Sequence, residues 1–334
     1  MKRYLALLLA VVMLLTVCAG CSRKKEKPVE TPKPTAQAVD TPDFDPADVT
    51  PTMWKVTDDA GHTMYLFGTI HVGDGRSDAA LEKILPTVKT CDALALEFDL
   101  EEYESDTQAQ LQTVMTFVLS DGSKVTDTIP EELFDRAEAL LTEAGVYNEM
   151  LKSYNVQFWS TLVDQAVMMT CSSLSPDYAM DSKLCSYAYE TGLPVYSVES
   201  AQEQYDLLNS VPDELAVTMI GESLDSMDTY NEDLTEMYEL WLSGSEDDLQ
   251  AFIESDEEPD PEAYSPELIA MAEDFNRAMG PDRNDGMLLK AQEYLASGKT
   301  VFFAVGAAHM LGEHGLVQLL TNAGYTVERY DYEA

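Results

Sequence analysis

Two stretches near opposite ends of the chain repeat one pattern, and that repeat limits the fold more than any other feature. Tyr65-Leu66-Phe67 leads into Gly68-Thr69-Ile70-His71, then into a helical stretch and a strand. Phe303-Ala304-Val305 leads into Gly306-Ala307-Ala308-His309, again followed by a helical stretch and a strand. An apolar strand buried in a sheet delivers the chain to its carboxyl end, where α/β sheets place their ligands. Glycine there allows a tight turn or a close backbone approach, and the histidine then projects into the crevice. The expected fold is α/β, a central mixed β-sheet built from two related strand–GxxH–helix–strand units and covered by a large helical insertion. Pairing of the units about a pseudo-twofold axis would set His71 and His309 face to face.

The remaining periodicity fills in this frame. Strands are expected at Met53–Val56 and Met64–Phe67 around a turn at Asp58-Asp59-Ala60-Gly61, and a helix at 79–89 with Leu81, Ile84, Leu85 and Val88 on one face. Ala93–Phe98 reads as an apolar strand carrying an acid, Glu97, at its end. A helical insertion spans about 101–295, interrupted by a strand at 194–199 that also ends in an acid, Glu199. Strands at 300–305 and 325–329 complete the globule, which is expected to occupy 53–334.

Residues 1–20 have the form of a signal peptide: a basic start, Lys2-Arg3, then a leucine-rich run too short for a comfortable membrane span. The run ends in Val17-Cys18-Ala19-Gly20-Cys21, similar to a bacterial lipobox, so Cys21 is the expected lipidation site; an ordinary secretory signal is the alternative. Either reading places the globule outside the cytoplasm, and the first anchors it to the cell membrane. Residues 21–52 are rich in Pro, Thr, Asp and Ala and read as a disordered tether. Cys91, Cys171 and Cys185 remain, with no Cys-x-x-Cys pair; Cys171 and Cys185 are read either as a disulfide or as buried thiols.

Charge excludes one class of partner. The chain has 61 Asp and Glu against 20 Lys and Arg, a formal charge of −41, which repels phosphate backbones and argues against nucleic acid. No Lys or Arg occurs between Lys183 and Arg277. That stretch is read as solvated helix faces, or else as a surface for cations or a basic polypeptide, which would favour basic substrates.

The chemistry is expected where the strand ends meet. His71, His309 and Glu97 are candidate ligands for a divalent metal (Mn, Co or Zn), a set that leaves a position open for water. Glu199 is then a candidate general base or fourth ligand; alternatively each glutamate caps the helix that follows it. Competing signatures are absent: there is no H-E-x-x-H and no G-x-S-x-G, and Ser297-Gly298-Lys299-Thr300 lacks the glycine that opens a P-loop and precedes a strand.

These motifs resemble the TraB/GumN family, whose animal relatives include the Tiki proteins. The resemblance rests on Leu66 to Val72, Ala93 to Glu97, Gly192-Leu193-Pro194-Val195 with Glu199, Arg283-Asn284, and Val301 to Gly312 with Gly315-Leu316. It implies a metal-dependent hydrolase using the paired GxxH motifs and a glutamate. It also places Arg283 and Asn284 in the same crevice, Arg283 as a fork for a substrate carboxylate or as an ion-pair partner of Glu97 or Glu199. Asp181 matches a position where family members often carry Asp; capping is its plainer role. The expected function is a lipid-anchored extracytoplasmic hydrolase, most plausibly a peptidase acting on a peptide or protein; the alternative is a surface protein that captures a peptide signal without cleaving it.

Overall fold

The computed structural model describes residues 41–254 and 263–330. The segment read as a signal peptide, the expected lipidation site Cys21 and the stretch read as a tether up to residue 40 lie outside the described residues. No helix among the described residues is long and apolar enough to cross a membrane.

Six strands form one mixed sheet in the order β4-β3-β5-β2-β1-β6. They are β1 Met53–Thr57, β2 Thr63–Thr69, β3 Ala93–Leu96, β4 Val195–Ser197, β5 Val301–Gly306 and β6 Thr326–Arg329. β5 lies between β2 and β3, parallel to both, and β4 runs parallel to β3 at one edge. β1 is antiparallel to its neighbours β2 and β6. The apolar runs seen in the sequence are needed because the central strands are covered on both sides. Phe67, Leu94 and Phe302 belong to one apolar cluster, while Leu66, Ala95 and Phe303 belong to the other.

Thirteen α-helices occur among the described residues. α1 Arg76–Val88 joins β2 to β3. Between β3 and β4 come α2 Leu100–Ser105, α3 Thr107–Thr116, α4 Glu131–Glu143, α5 Val156–Cys171 and α6 Met180–Thr191. Between β4 and β5 come α7 Ala201–Asn209, α8 Asp213–Asp225, α9 Met227–Ser243, α10 Glu246–Glu254, α11 Pro266–Met279 and α12 Pro281–Ala296. α13 Leu316–Asn322 joins β5 to β6. The helices between β3 and β5, interrupted by β4, make up the helical insertion.

The two GxxH units are neighbours, with Gly68 beside Val305 and Thr69 beside Gly306. Their crossovers then diverge. From β2 the chain passes β5 to reach β3, and its helix α1 packs Ala80, Ile84 and Val88 into the cluster holding Phe67. From β5 it passes β2 and β1 to reach β6, and α13 packs Leu316 and Leu320 into the cluster on the opposite face. Adjacent parallel strands whose connections leave in opposite directions open a crevice at their carboxyl ends. Both histidines follow those ends.

One boundary differs from expectation. The stretch read as a tether does not stay free to residue 52, because its last part is docked on the globule. Val49 is buried, Thr50 donates its N–H to the Leu242 carbonyl at 2.6 Å, and its hydroxyl donates to the Ser243 carbonyl at 2.9 Å. A single buried valine beside two backbone acceptors was not visible in a composition dominated by Pro, Thr and Asp. Cys91, Cys171 and Cys185 are free thiols in the structure.

Candidate functional site

Both GxxH glycines serve close approach, since neither is among the glycines with positive φ. A Cβ on Gly68 would lie 2.9 Å from the Ala307 Cα, so the first motif presses directly on the second. A Cβ on Gly306 would lie 3.3 Å from Glu97 Oε1, 3.6 Å from His309 Cδ2 and 3.7 Å from His71 Nε2. Three predicted residues from three different loops thus converge on one small volume.

Each histidine is fixed from behind. His71 Nδ1 lies 3.1 Å from Asp181 Oδ2, and Asp181 reaches it from the first turn of α6, whose Met180 N–H is bonded to the Ile70 carbonyl. His309 Nδ1 lies 2.6 Å from Asn284 Oδ1. Asn284 gives its amide to the His314 carbonyl at 2.8 Å, so its oxygen faces the ring and Nδ1 carries the proton. The Nε2 of His309 is therefore left as an acceptor. An outer partner that sets tautomer and ring orientation is what histidines used as metal ligands or as proton carriers need.

The carboxylates form the second half of the site. Glu199 N–H donates to the Glu97 carbonyl at 2.8 Å, so the two strand ends stay in register. Arg283, on the first turn of α12, bridges them: Nη2 donates to Glu97 Oε2 and to Glu199 Oε2, both at 2.8 Å, and Nε donates to Glu199 Oε1 at 3.1 Å. Gln204 Nε2 donates to the same two Oε2 atoms at 2.9 and 3.2 Å. Glu97 Oε1 accepts the Gly306 N–H at 2.9 Å and keeps a further lone pair. Arg283 is thereby committed to an ion pair with both glutamates, the second of the two roles open to it. Neither glutamate caps a helix through its side chain; Ser200 caps α7 instead.

The charges are strongly organised. Burial works against ionisation of Glu97, but Arg283 and the neighbouring histidines outweigh it and hold this carboxyl well below the usual range. Burial likewise disfavours a charge on His71, yet the charge and hydrogen bond of Asp181 prevail and its pKa rises to about 9. His309 has no such partner; burial and the Arg283 charge drive its pKa down to about 3. At neutral pH the side chains of the site thus pair a cationic imidazole with a neutral one. A histidine whose folded pKa is raised stabilises the fold fully below its unfolded pKa of about 6.5, and that stabilisation is lost as pH rises through 9. Asp181→Asn is therefore expected to remove up to about 3 kcal/mol at pH 6 and far less at pH 10. Chemical denaturation at the two pH values measures this difference.

Sequence reading missed two contributors. Gln204 follows a capping box at Ser200 and Glu203, and that motif alone could have located a first-turn side chain turned back toward Glu199. Trp241, on α9, donates its indole N–H to the Gly68 carbonyl at 2.8 Å, tying the helical layer to the first motif. His71, Glu97, Arg283 and His309 line a cavity of about 40 Å³, walled on its other side by Met237, Trp241, Leu249 and Ile253 of α9 and α10. Glu199 and Asn284 stand behind this lining rather than on it.

The sequence profile of the TraB/PrgY/gumN family matches residues 52–329. The chain belongs to the TraB/PrgY/gumN family. Curated proteins similar to it are the "Uncharacterized protein YbaP" of Escherichia coli (strain K12) and its namesake in Shigella flexneri. Each is 24% identical over 266 residues, covering 77% of this chain and 87% of the relative. No solved structure matches the chain. The matched span takes in both GxxH motifs, Glu97, Glu199 and the Arg283-Asn284 pair, so every element of the site lies within the family region.

The donor chemistry suits a divalent ion in kind. Two imidazoles are oriented through their Nδ1 atoms, and one anionic oxygen, Glu97 Oε1, has a lone pair to give. Among the described residues no group of three His, Cys, Asp or Glu side chains is placed so that it could hold a metal ion as it stands.

Proposed function

We propose that this member of the TraB/PrgY/gumN family is a metal-dependent hydrolase of the peptidase type, held outside the cytoplasm by a lipid on Cys21. The observation that carries the reading is the convergence of His71 Nε2, His309 and Glu97 Oε1 around Gly306. His71, His309 and Glu97 Oε1 are the groups that would hold Mn, Co or Zn. When bound, such an ion supplies an activated water and polarises the scissile carbonyl.

The chain's own residues do the positioning. Asp181 and Asn284 hold the two rings; Arg283, Gln204 and the Gly306 amide hold Glu97. Because Glu97 stays anionic throughout the working pH range, it suits holding a cation and is a poor proton acceptor. Glu199 accepts from Arg283 through both oxygens, so its part is to anchor Arg283. It serves as a base only on leaving those bonds.

Metal analysis of the protein purified after growth with Mn, Co and Zn tests this directly. About one ion per chain is expected, lost in His71→Ala and in His309→Ala while circular dichroism stays unchanged. A metal-free wild type under every supply, with both variants folded, overturns the metal reading. EDTA-sensitive cleavage of a mixed peptide library, followed by mass spectrometry, separates a peptidase from a protein that captures peptides intact.

A further inference from the structure

The cavity has two chemically opposite walls, and at its edge stands a hydroxyl with nothing to bond. Thr69 is 2% exposed and lines the cavity, yet its Oγ1 is buried without a hydrogen-bond partner among the described residues. An unmade hydrogen bond in a buried hydroxyl costs free energy and persists in few places, ligand sites among them. β2 alternation puts Thr69 on the same face as Phe67, toward α9. There the facing wall, Met237, Trp241, Leu249 and Ile253, presents only carbon and sulfur apart from an indole N–H already given to Gly68. Its volume of about 40 Å³ holds two or three waters or a group of one to three carbons.

We infer that Thr69 and this wall form an acyl subsite: the hydroxyl donates to the carbonyl oxygen of an amide or ester, and the wall receives a small apolar substituent of alanine or valine size. The inference rests on the hydrolase reading and deepens it. It also reverses the preference that the acidic composition implies, because α9 and α10, though part of the acidic stretch, put no Asp or Glu on this wall, and the one carboxylate in the lining, Glu97, is already paired with Arg283.

The test uses the full-length protein and a panel of N-acetyl-Xaa-methylamides with Xaa alanine, valine, lysine or glutamate. Binding is followed by Trp241 fluorescence against a Trp241→Phe control, and by the chemical shifts of the probes. Wild type is expected to bind the alanine and valine probes at least tenfold more tightly than the lysine and glutamate ones. Thr69→Val is expected to bind them about three- to tenfold more weakly, with Thr69→Ser close to wild type. In the free protein Thr69→Val should melt at or above the wild-type temperature, because it removes an unpaired polar atom without changing shape. Unchanged binding in Thr69→Val, a lowered melting temperature for it, a preference for lysine, or no binding of any probe overturns the subsite. Cleavage of peptides irrespective of an apolar residue would overturn the subsite and leave the hydrolase standing; selective binding of the apolar probes with no cleavage of peptide or ester would do the reverse.

Discussion

Arg283→Met is expected to destabilise the protein by about 3–5 kcal/mol at pH 8, because it strands two buried carboxylates that share one guanidinium. Glu97 and Glu199 have only 10% and 15% of their side chains exposed, so water cannot replace the lost donors. The melting temperature should fall on the order of 10 °C. The dependence on pH should also change sign. In the wild type the depressed pKa of Glu97 stabilises the fold above the ordinary carboxylate range and is lost as pH falls through the acid range. Without Arg283, burial dominates and the folded pKa rises above the unfolded one, so stability is present at low pH and lost as pH rises. Arg283→Met should therefore be more stable at pH 5 than at pH 8. Melting curves at the two pH values decide it, and a parallel loss at both would remove Arg283 from the centre of this network. Arg283→Lys keeps the charge but not the fork, and should fall between.

Gly306→Ala should have the opposite character, a large functional loss with little loss of stability. The added methyl would occupy the point where the site groups meet, tightest against Glu97 Oε1 at 3.3 Å. A carboxylate at the end of a side chain can give by a few tenths of an ångström, so the fold should lose only about 1–2 kcal/mol. The site has less freedom: pushing Glu97 Oε1 back stretches its 2.9 Å bond from the Gly306 N–H and puts a methyl where the proposed ion would sit, and the proposed chemistry depends on that positioning. On the proposed function, metal content and peptide turnover are both expected to fall markedly. Gly68→Ala is the informative contrast, since its methyl meets backbone at Ala307 Cα and should cost stability as well, about 1–3 kcal/mol. Full turnover in Gly306→Ala would place the chemistry elsewhere.

Most of the sheet was legible because its central strands are buried on both faces and must be written as unbroken apolar runs, such as Ala93–Leu96 and Val301–Gly306. The GxxH repeat was legible for a related reason: close approach of two backbones leaves no room for a side chain, and that demand shows as glycine. Relationships among polar side chains were harder to read. Asp181 at the start of a helix looks the same whether it caps that helix or holds His71. Arg283 has the same letters around it as a substrate anchor and as a bridge between two glutamates. The docking of the stretch before β1 turned on the buried Val49 and the hydrogen bonds of Thr50, which no periodic pattern announces. Gln204, a neutral amide, carries no charge signal of its own, and only the capping box just before it marks its place.

The place of β5 in the sheet has a consequence for how the molecule comes into being. This strand is made late in synthesis, yet it fills the middle of the sheet, between β2 and β3, and its Gly306 N–H meets Glu97 across 209 residues of chain. Until β5 arrives, β2 and β3 can only present open edges to an empty slot, and the two histidines cannot meet. Loop-closure entropy on this scale makes the last insertion slow. The crevice that gathers His71, Glu97 and His309 is therefore a late product of folding, and it is completed only when the slot is filled.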